Sequence, residues 1–365
     1  MKNILFIVDH LKGGGAELMV LSLAKRLQEK NIEVNILSLN AINNYSSKDY
    51  NINIIDLGFP EYWVSGKLLI DKPIPTDSIS KMNEVIKTIA PDCIIVTIWY
   101  SFMLIPYIEH RNVWAWSQAD ILPDFSKTNN PIKFFRNKYK AQIFENKFKE
   151  VFNVSKIITV NDGLRLKYLS LLETKEVVTI NNGLDLVQDI ASKFLNKKWD
   201  VIFVGRLSPT KQINHAIEAF KASQVKGKML IVGEGAQHVK LKKLVSKLGL
   251  DNQIFFKGWL SKDEVLTLIE QSKILVLPSR TEGYPLVIGE ALMSGTPVVA
   301  YNCSEGISSQ LYTNDMKRGL VKPNDIRSLS NALLDVINNP YVIPDNISIK
   351  YDLDVMTNKF LSVIS

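Results

Sequence analysis

The sequence predicts an α/β protein built of two successive doubly wound domains. Short apolar runs, typical of buried parallel strands, alternate with longer segments whose apolar residues recur at helical spacing. The alternation stops at the turn residues 181–185 and a polar stretch at 192–198, and then restarts. With 365 residues, of which 46% are hydrophobic, the chain is long and apolar enough to form two cores.

The predicted elements follow one another at regular intervals, an order that favours a parallel sheet with helices on both faces in each domain. We place the boundary at the turn residues, which gives a first domain of residues 1–183 and a second of 184–349. In the first domain we predict strands at 3–8, 34–39, 52–57, 93–99, 113–116, 156–160 and 177–180, and helices at 16–29, 77–89 and from 162. In the second we predict strands at 201–204, 229–232, 253–256, 274–277 and 297–301, and helices at 286–293 and 326–337.

Composition narrows the class of protein. Cys93 and Cys303 lie in or beside apolar strands, as buried thiols of a reducing compartment do, and the four histidines show no metal-ligand spacing. No apolar stretch of about 20 residues is present, so we expect a cytoplasmic location. The net charge of +7 suits a phosphate-bearing substrate, a membrane surface or a nucleic acid. Nucleic acid is the weakest of the three, because no nucleic-acid-binding signature is found.

The stretch 273–300 carries the clearest candidate site. A predicted strand leads through a polar loop containing Glu282 into a predicted helix, and Glu290 follows eight residues later within that helix. Ligands bind at this end of the strands in open α/β sheets, where a helix N-terminus offers free N–H groups. Two carboxylates beside such a turn suit a polyhydroxylated, negatively charged ligand. An ordinary strand–turn–helix with surface acids is the alternative.

Three further loops follow predicted strands. Gly14 and Gly15 open the first helix and would let backbone amides approach a phosphate, but the loop lacks the G-x-G-x-x-G spacing of a nicotinamide site. Arg206 and Lys211, five positions apart after Gly205, could grip a diphosphate; a solvated basic loop is the alternative. Residues 233–235, G-E-G, are interpreted as a tight turn.

The segment 282–290, E-G-Y-P-L-V-I-G-E, resembles the E-x7-E motif of retaining glycosyltransferases of the GT-B fold, closest to family 4, the glycosyl transferases group 1. The neighbouring P-S and G-T-P-V-V-A segments resemble the same family. So do G-R-L-x-x-x-K at 205–211, where Gln212 replaces a common glycine, and G-G-x-E at 14–17. The resemblance implies two Rossmann-like domains that face each other across a cleft. It also implies that a helix in 350–365 completes the N-terminal, acceptor-binding domain.

The same resemblance implies roles for individual residues. Arg206 and Lys211 would neutralise the donor's diphosphate, Glu290 would bind the ribose hydroxyls, and Glu282 would lie near the transferred sugar. The implied catalytic residues are Glu282, Arg206 and Lys211. No metal or other cofactor is required in this scheme. The implied donor-binding residues are Gly14, Gly15, Gly205, Arg206, Lys211, Gly258, Trp259, Glu282, Gly283, Tyr284, Pro285, Leu286, Val287 and Glu290, with the N–H groups of 284–287 contacting the sugar.

The acceptor side departs from the family pattern. Members often carry a histidine near the sugar where this chain has Gln118, which can form hydrogen bonds but cannot act as a base near neutral pH. Asp120 could serve instead. The expected activity is hexosyl transfer from a nucleoside diphosphate sugar, with UDP favoured, to a glycan or lipid-linked acceptor in surface polysaccharide synthesis. A sugar-nucleotide epimerase of the same fold and a silent glycan- or partner-binding subunit are the alternatives.

Residues 131–150 are both aromatic and basic. Six cations, at 133, 136, 138, 140, 147 and 149, accompany phenylalanines at 134, 135, 144 and 148. Such a segment can lie on the inner face of an anionic membrane, or it can be a core-packed helix with a solvated basic face. The single D-x-D, Asp352 to Asp354, is interpreted as a solvated face and not as a metal site.

Overall fold

The computed structural model of the chain describes residues 2–12, 14–40, 51–64, 74–122, 131–173, 176–185 and 197–364. The chain divides into two compact units: Met1–Gly183 with Leu353–Ser365, and Leu184–Asp352. Each unit has one parallel sheet. The predicted class, two doubly wound α/β domains, is confirmed.

The first unit has a seven-stranded sheet in the order β3-β2-β1-β4-β5-β6-β7. Chain order reverses between β1 and β4, which lie side by side with Ile7 opposite Val96. The strands are β1 (Asn3–Val8), β2 (Glu33–Ser38), β3 (Asn53–Asp56), β4 (Cys93–Thr97), β5 (Val113–Ser117), β6 (Lys156–Thr159) and β7 (Val177–Thr179). The α-helices are α1 (Gly15–Glu29), α2 (Thr76–Ile89), α3 (Pro131–Phe152) and α4 (Asp162–Leu171), and a 3-10 helix covers Ser101–Tyr107.

The second unit has a six-stranded sheet in the order β10-β9-β8-β11-β12-β13, and its reversal of chain order falls between β8 and β11. The strands are β8 (Trp199–Val204), β9 (Met229–Val232), β10 (Ile254–Lys257), β11 (Ser272–Leu277), β12 (Val298–Tyr301) and β13 (Leu320–Val321). The α-helices are α5 (Ile213–Ala222), α6 (His238–Lys247), α7 (Lys262–Glu270), α8 (Leu286–Met293), α9 (Glu305–Ser308), α10 (Ile326–Asn338) and α11 (Ile347–Lys350). Short 3-10 helices cover Pro209–Lys211 and Met316–Gly319.

The last helix, α12 (Leu353–Ile364), lies in the first unit. The Phe360 ring meets the Trp116 ring edge-on at 4.9 Å between centroids, and the Arg26 guanidinium donates to Asp354 Oδ2 at 3.1 Å. Asp354 also pairs with Lys30, and its side chain is 46% exposed, so the carboxylate makes ion pairs on a solvated face. Apolar burial at helical spacing along α12 explains why it packs on the sheet.

Most strand ends agree with the predicted ones to within about two residues, and one difference is informative. The strand predicted at 93–99 ends at Thr97, because Ile98 adopts a left-handed backbone with φ of +73° that a strand cannot continue through. The thiol of Cys93 is buried as expected, whereas that of Cys303 is only half-buried.

Candidate nucleotide-sugar site

The candidate site lies in the second unit, at the carboxyl ends of β8 and β11, where the sheet reverses its order. Crevices at such reversal points are the usual ligand sites of open α/β sheets. The Lys211 ammonium and the Glu282 carboxylate form an ion pair here, with 2.5 Å between Nζ and Oε1. The amide of Arg280 also donates to the Thr210 carbonyl at 2.8 Å. These contacts join the two loops that carry the resemblance, although 71 residues separate Lys211 from Glu282.

The G-E-G segment that follows β9 supports this site through its backbone. Gly233 has φ of +128°, and a methyl group on it would overlap the carbonyl oxygen of Gly205. Gly235 has φ of +152°, and a methyl group there would lie 2.6 Å from the Leu207 carbonyl oxygen. The Leu207 amide donates to the Glu234 carbonyl at 2.7 Å. The glycines therefore allow the loop after β9 to press against the 205–207 loop, so the interpretation as a simple tight turn was incomplete.

The two cations of the 205–211 loop differ in their surroundings. Arg206 is exposed, and its guanidinium makes no hydrogen bond or ion pair within the described ranges. Lys211 is half-buried and paired with Glu282. The next residue, Gln212, has φ of +46° at the start of α5, a conformation that glycine adopts without strain. This geometry gives a physical reason for the glycine common at this position in the family.

Glu282 lies close to Cys303 of the loop that follows β12. The pKa of the Cys303 thiol is raised to about 12. Burial is the main cause, and the negative charge of the nearby Glu282 carboxylate is the second. Tyr284, two residues further on, is buried, and burial raises its pKa well above the ordinary value. Among the described residues its hydroxyl has no hydrogen-bond partner.

Helix α8 presents its first turn beside these residues. The amides of Leu286 and Val287 precede the first intrahelical hydrogen bond, and no other acceptor for them lies within the described part of the chain. Pro285 has no N–H, so the expectation that the amides of 284–287 contact a ligand can hold for Tyr284, Leu286 and Val287 only. Gly283 is buried in the same turn. The positive end of the helix dipole reinforces the amides.

Glu290 lies one turn further along α8. Burial raises its pKa, and the positive charge of Lys262 opposes that effect. Its carboxylate accepts no hydrogen bond from any side chain or amide in the described ranges. A partly desolvated carboxylate with unused acceptor capacity can bind hydroxyl groups.

Gly258 and Trp259 follow β10, the edge strand of the sheet, which pairs with β9. A methyl group on Gly258 would lie 2.8 Å from Glu234 Oε1, and the Trp259 amide donates weakly to the same oxygen at 3.4 Å. The Trp259 indole is exposed. Glu234, which the sequence interpretation passed over, thus connects this turn to the G-E-G segment.

The remaining predicted residues lie in the first unit. Gly14 precedes α1 and Gly15 begins it, while Gly13 lies outside the described residues. Gln118 follows β5, and its Oε1 accepts from Asn182 Nδ2 at 2.9 Å. Asp120 pairs with Lys167 at 2.6 Å between Oδ2 and Nζ, so its carboxylate is already engaged.

Sequence reasoning missed a buried acid at the end of β1. Asp9 accepts hydrogen bonds from the amides of Tyr100, at 2.8 Å, and Ser101, at 2.6 Å. Burial raises its pKa to about 7, the backbone hydrogen bonds lower it, and the charge of Glu17 adds a smaller increase. Glu17 is buried as well and lies 3.7 Å from His10 Nδ1. The signal was an Asp-His pair directly after an apolar strand, which marks the ligand-binding end of a parallel sheet.

Over the described ranges, no group of three or more His, Cys, Asp or Glu side chains is arranged to hold a metal ion. Within the same ranges, every helix is too short or too polar to cross a bilayer.

Several known proteins resemble this chain in sequence or in fold. Residues 188–351 match the model of the glycosyl transferases group 1 family. The chain is 26% identical over 350 residues to a Haemophilus influenzae protein named an uncharacterized glycosyltransferase, covering 93% of this chain and 92% of that one. It is 27% identical over 223 residues to poly(ribitol-phosphate) alpha-N-acetylglucosaminyltransferase of Staphylococcus aureus, covering 58% of this chain and 44% of that one. The structure of a Staphylococcus aureus TarM variant, solved with Fondaparinux, alpha-GlcNAc-glycerol and UDP, matches over 100% of both chains with a TM-score of 0.73 and 17% identity.

The chain therefore has the GT-B fold. The range that matches the glycosyl transferases group 1 model, 188–351, includes Arg206, Lys211, Glu282 and Glu290 of the candidate site.

Proposed function

We propose that this protein is a retaining, metal-independent glycosyltransferase of family 4. It transfers a hexosyl group from a nucleoside diphosphate sugar, with UDP favoured, to a hydroxyl of a glycan or lipid-linked acceptor in surface polysaccharide synthesis. The observation that carries the proposal is the meeting of Lys211 with Glu282 where the sheet of the second unit reverses its order.

The charges at this point suit a departing nucleoside diphosphate. Negative charge grows on the diphosphate as the glycosidic bond breaks, so fixed cations lower the barrier if they lie next to it. Arg206 offers a forked guanidinium that can bind two phosphate oxygens, and Lys211 offers a compact charge. In this role Lys211 links the diphosphate to Glu282, which stays near the sugar. The leaving phosphate helps to deprotonate the acceptor hydroxyl on the same face, which gives retention.

The polar groups of α8 suit the neutral parts of the donor. The amides of Leu286 and Val287 can donate to sugar hydroxyls, and Glu290 can accept from both hydroxyls of the ribose. Gly258 and Trp259 form the turn assigned to the nucleobase.

The finer parts of the proposal draw on the relatives. UDP is favoured because the TarM structure contains it, and retention agrees with the alpha linkage in the name of the Staphylococcus aureus relative. Independence of metal is proposed because Arg206, Lys211 and the helix amides supply positive charge without an ion. A role in surface glycan synthesis follows the poly(ribitol-phosphate) acceptor named for that relative.

We also propose that α3 binds the inner face of an anionic membrane, where a lipid-linked acceptor would lie. Phe135, Tyr139 and Ile143 recur at helical spacing and are 71%, 70% and 48% exposed. Lys138 and Lys140 beside them are also exposed. Further along α3, Phe148 and Phe152 are buried in the core of the first unit. The C-terminal half of α3 packs in the core, and the exposed apolar and basic side chains of 135, 138–140 and 143 support the proposed membrane contact.

A transfer assay with NMR detection tests the activity. The purified chain is incubated in EDTA with UDP-glucose, UDP-galactose or UDP-N-acetylglucosamine and an extract of surface glycan precursors. We expect one donor to yield an α-linked product and free UDP. A β-linked product would contradict retention, and isomerisation of the donor without transfer would favour the epimerase.

A further inference from the structure

The first unit has its own reversal point, between β1 and β4, and the backbone there is strained. Ile98, the residue after β4, is buried and has φ of +73°. A β-branched residue in this region is an outlier, because its Cβ crowds the carbonyl oxygen. Such strain persists only where the surrounding structure fixes it, and it is concentrated at functional sites.

Several hydrogen bonds hold this loop. The Ser101 hydroxyl lies 2.5 Å from the Thr97 carbonyl oxygen and 3.1 Å from that of Ile98. From the neighbouring strand, Asp9 accepts from the amides of Tyr100 and Ser101, so the loop is fixed from both sides. Rigid support of this kind is what a preorganised binding residue needs.

The outcome of this strained geometry is the display of Trp99. Trp99 is 43% exposed, although β1 and β5, the strands on either side of β4, are buried. It lies at the carboxyl end of β4, where ligands bind in open α/β sheets. A partly exposed indole on a loop whose backbone is fixed offers a large apolar face to a ligand.

The adjacent strand, β5, leads into a polar residue at the same level of the sheet. Thr97 lies opposite Trp116 in the β4–β5 register, so Trp99 and Gln118 leave their strands at the same level. Gln118 Nε2 is buried and has no hydrogen-bond partner among the described residues. Asn182 donates to Oε1 of the same Gln118 amide, is itself buried, and has an Oδ1 without a hydrogen-bond partner among the described residues. Buried polar atoms of this kind are rare and need an explanation, such as a bound ligand group.

We propose that Trp99 is the platform on which a pyranose ring of the acceptor stacks, with the Gln118 amide donating to one of its hydroxyls. A pyranose has an apolar C–H face and a rim of hydroxyls, and the site pairs an aromatic face with an amide in the same way. The assignment of the ring to an acceptor rests on the proposed function.

Saturation-transfer NMR on the full chain in saturating UDP tests the assignment. The probes are methyl β-D-glucopyranoside, methyl β-D-galactopyranoside and methyl N-acetyl-β-D-glucosaminide. At least one is expected to bind the wild type, and Trp99→Ala should reduce its signal at least fivefold, with partial recovery in Trp99→Phe. Tyr107→Ala is the matched control, because Tyr107 is 46% exposed at the far end of the adjoining 3-10 helix. Gln118→Ala should lower the signal of the ring proton next to the bound hydroxyl more than the signals of the other ring protons.

UDP affinity, measured by calorimetry on the same variants, separates the two proposals. An unchanged UDP affinity with loss of pyranoside binding in Trp99→Ala supports the stacking platform. Pyranoside signals that survive Trp99→Ala, or the absence of pyranoside binding to the wild type, would overturn it. Loss of pyranoside binding in Trp99→Ala together with no UDP binding by any variant would leave the platform standing and contradict the glycosyltransferase.

Discussion

Asp9→Asn should remove a large pH dependence from the stability of this protein. The native carboxyl has a pKa of about 7 against an ordinary value of 3.8, because burial penalises its charged form. The native state therefore holds a proton that the unfolded state has already released, and stability falls as pH rises from about 4 to 7. At about 1.4 kcal/mol for each pKa unit, the loss between pH 5 and pH 7.5 is about 3 kcal/mol.

The assay is urea unfolding of wild type and Asp9→Asn at half-unit intervals from pH 5 to pH 7.5. Asparagine keeps one oxygen to accept from the Tyr100 and Ser101 amides and carries no charge. The variant should therefore gain stability relative to wild type as pH rises, by about 3 kcal/mol over the range. Glu17 acts on Asp9 through its charge, and His10 lies next to Glu17. Both residues are present in both proteins, so the difference between the two pH profiles reports on Asp9 alone. Parallel pH profiles would refute the reasoning.

Three further predictions concern the site and its surroundings. In thermal unfolding, Gly233→Ala should destabilise the protein by more than about 2 kcal/mol, because the added methyl group would overlap the Gly205 carbonyl oxygen. The control, Gly249→Ala, should cost only about 1 kcal/mol, because Gly249 also has a positive φ, +67°, but has open space around it. Glu290→Gln should weaken UDP binding by about 1–3 kcal/mol in calorimetry and leave the fold intact by circular dichroism. Tyr139→Ser with Ile143→Ser should lower co-sedimentation with phosphatidylserine vesicles, while Val239→Ser, another exposed apolar residue, should not.

The fold could be predicted because each of its local signals was strong. Apolar runs such as 274–277 and 229–232 are short, buried on both faces and bounded by turn residues, a pattern typical of strands in a parallel sheet. Helix α8 was predicted with its bounds, because Pro285 precedes it and Gly295 follows its end. Ile98 escaped prediction because a β-branched residue favours the strand that it actually ends.

The candidate site was only partly predictable. The resemblance of two segments to family motifs brought Glu282, Arg206 and Lys211 into one hypothesis, but only the three-dimensional structure shows that Lys211 and Glu282 form an ion pair. The close approach of Gly233 to Gly205 depends on the pairing of β8 with β9 in three dimensions, because the two glycines lie 28 positions apart in the sequence. Asp9 was missed for the same reason, since its partners lie 91 and 92 residues away.

The central claim is that the second unit binds a nucleoside diphosphate through Arg206 and Lys211. Calorimetric titration of UDP, GDP and ADP in EDTA, on wild type and on Arg206→Gln and Lys211→Gln, tests it most directly. One nucleotide should bind the wild type, and each substitution should weaken that binding by at least about tenfold, since a charge-assisted hydrogen bond contributes about 1.5–3 kcal/mol. Binding by no nucleotide, or equal binding by all three proteins, would contradict the claim.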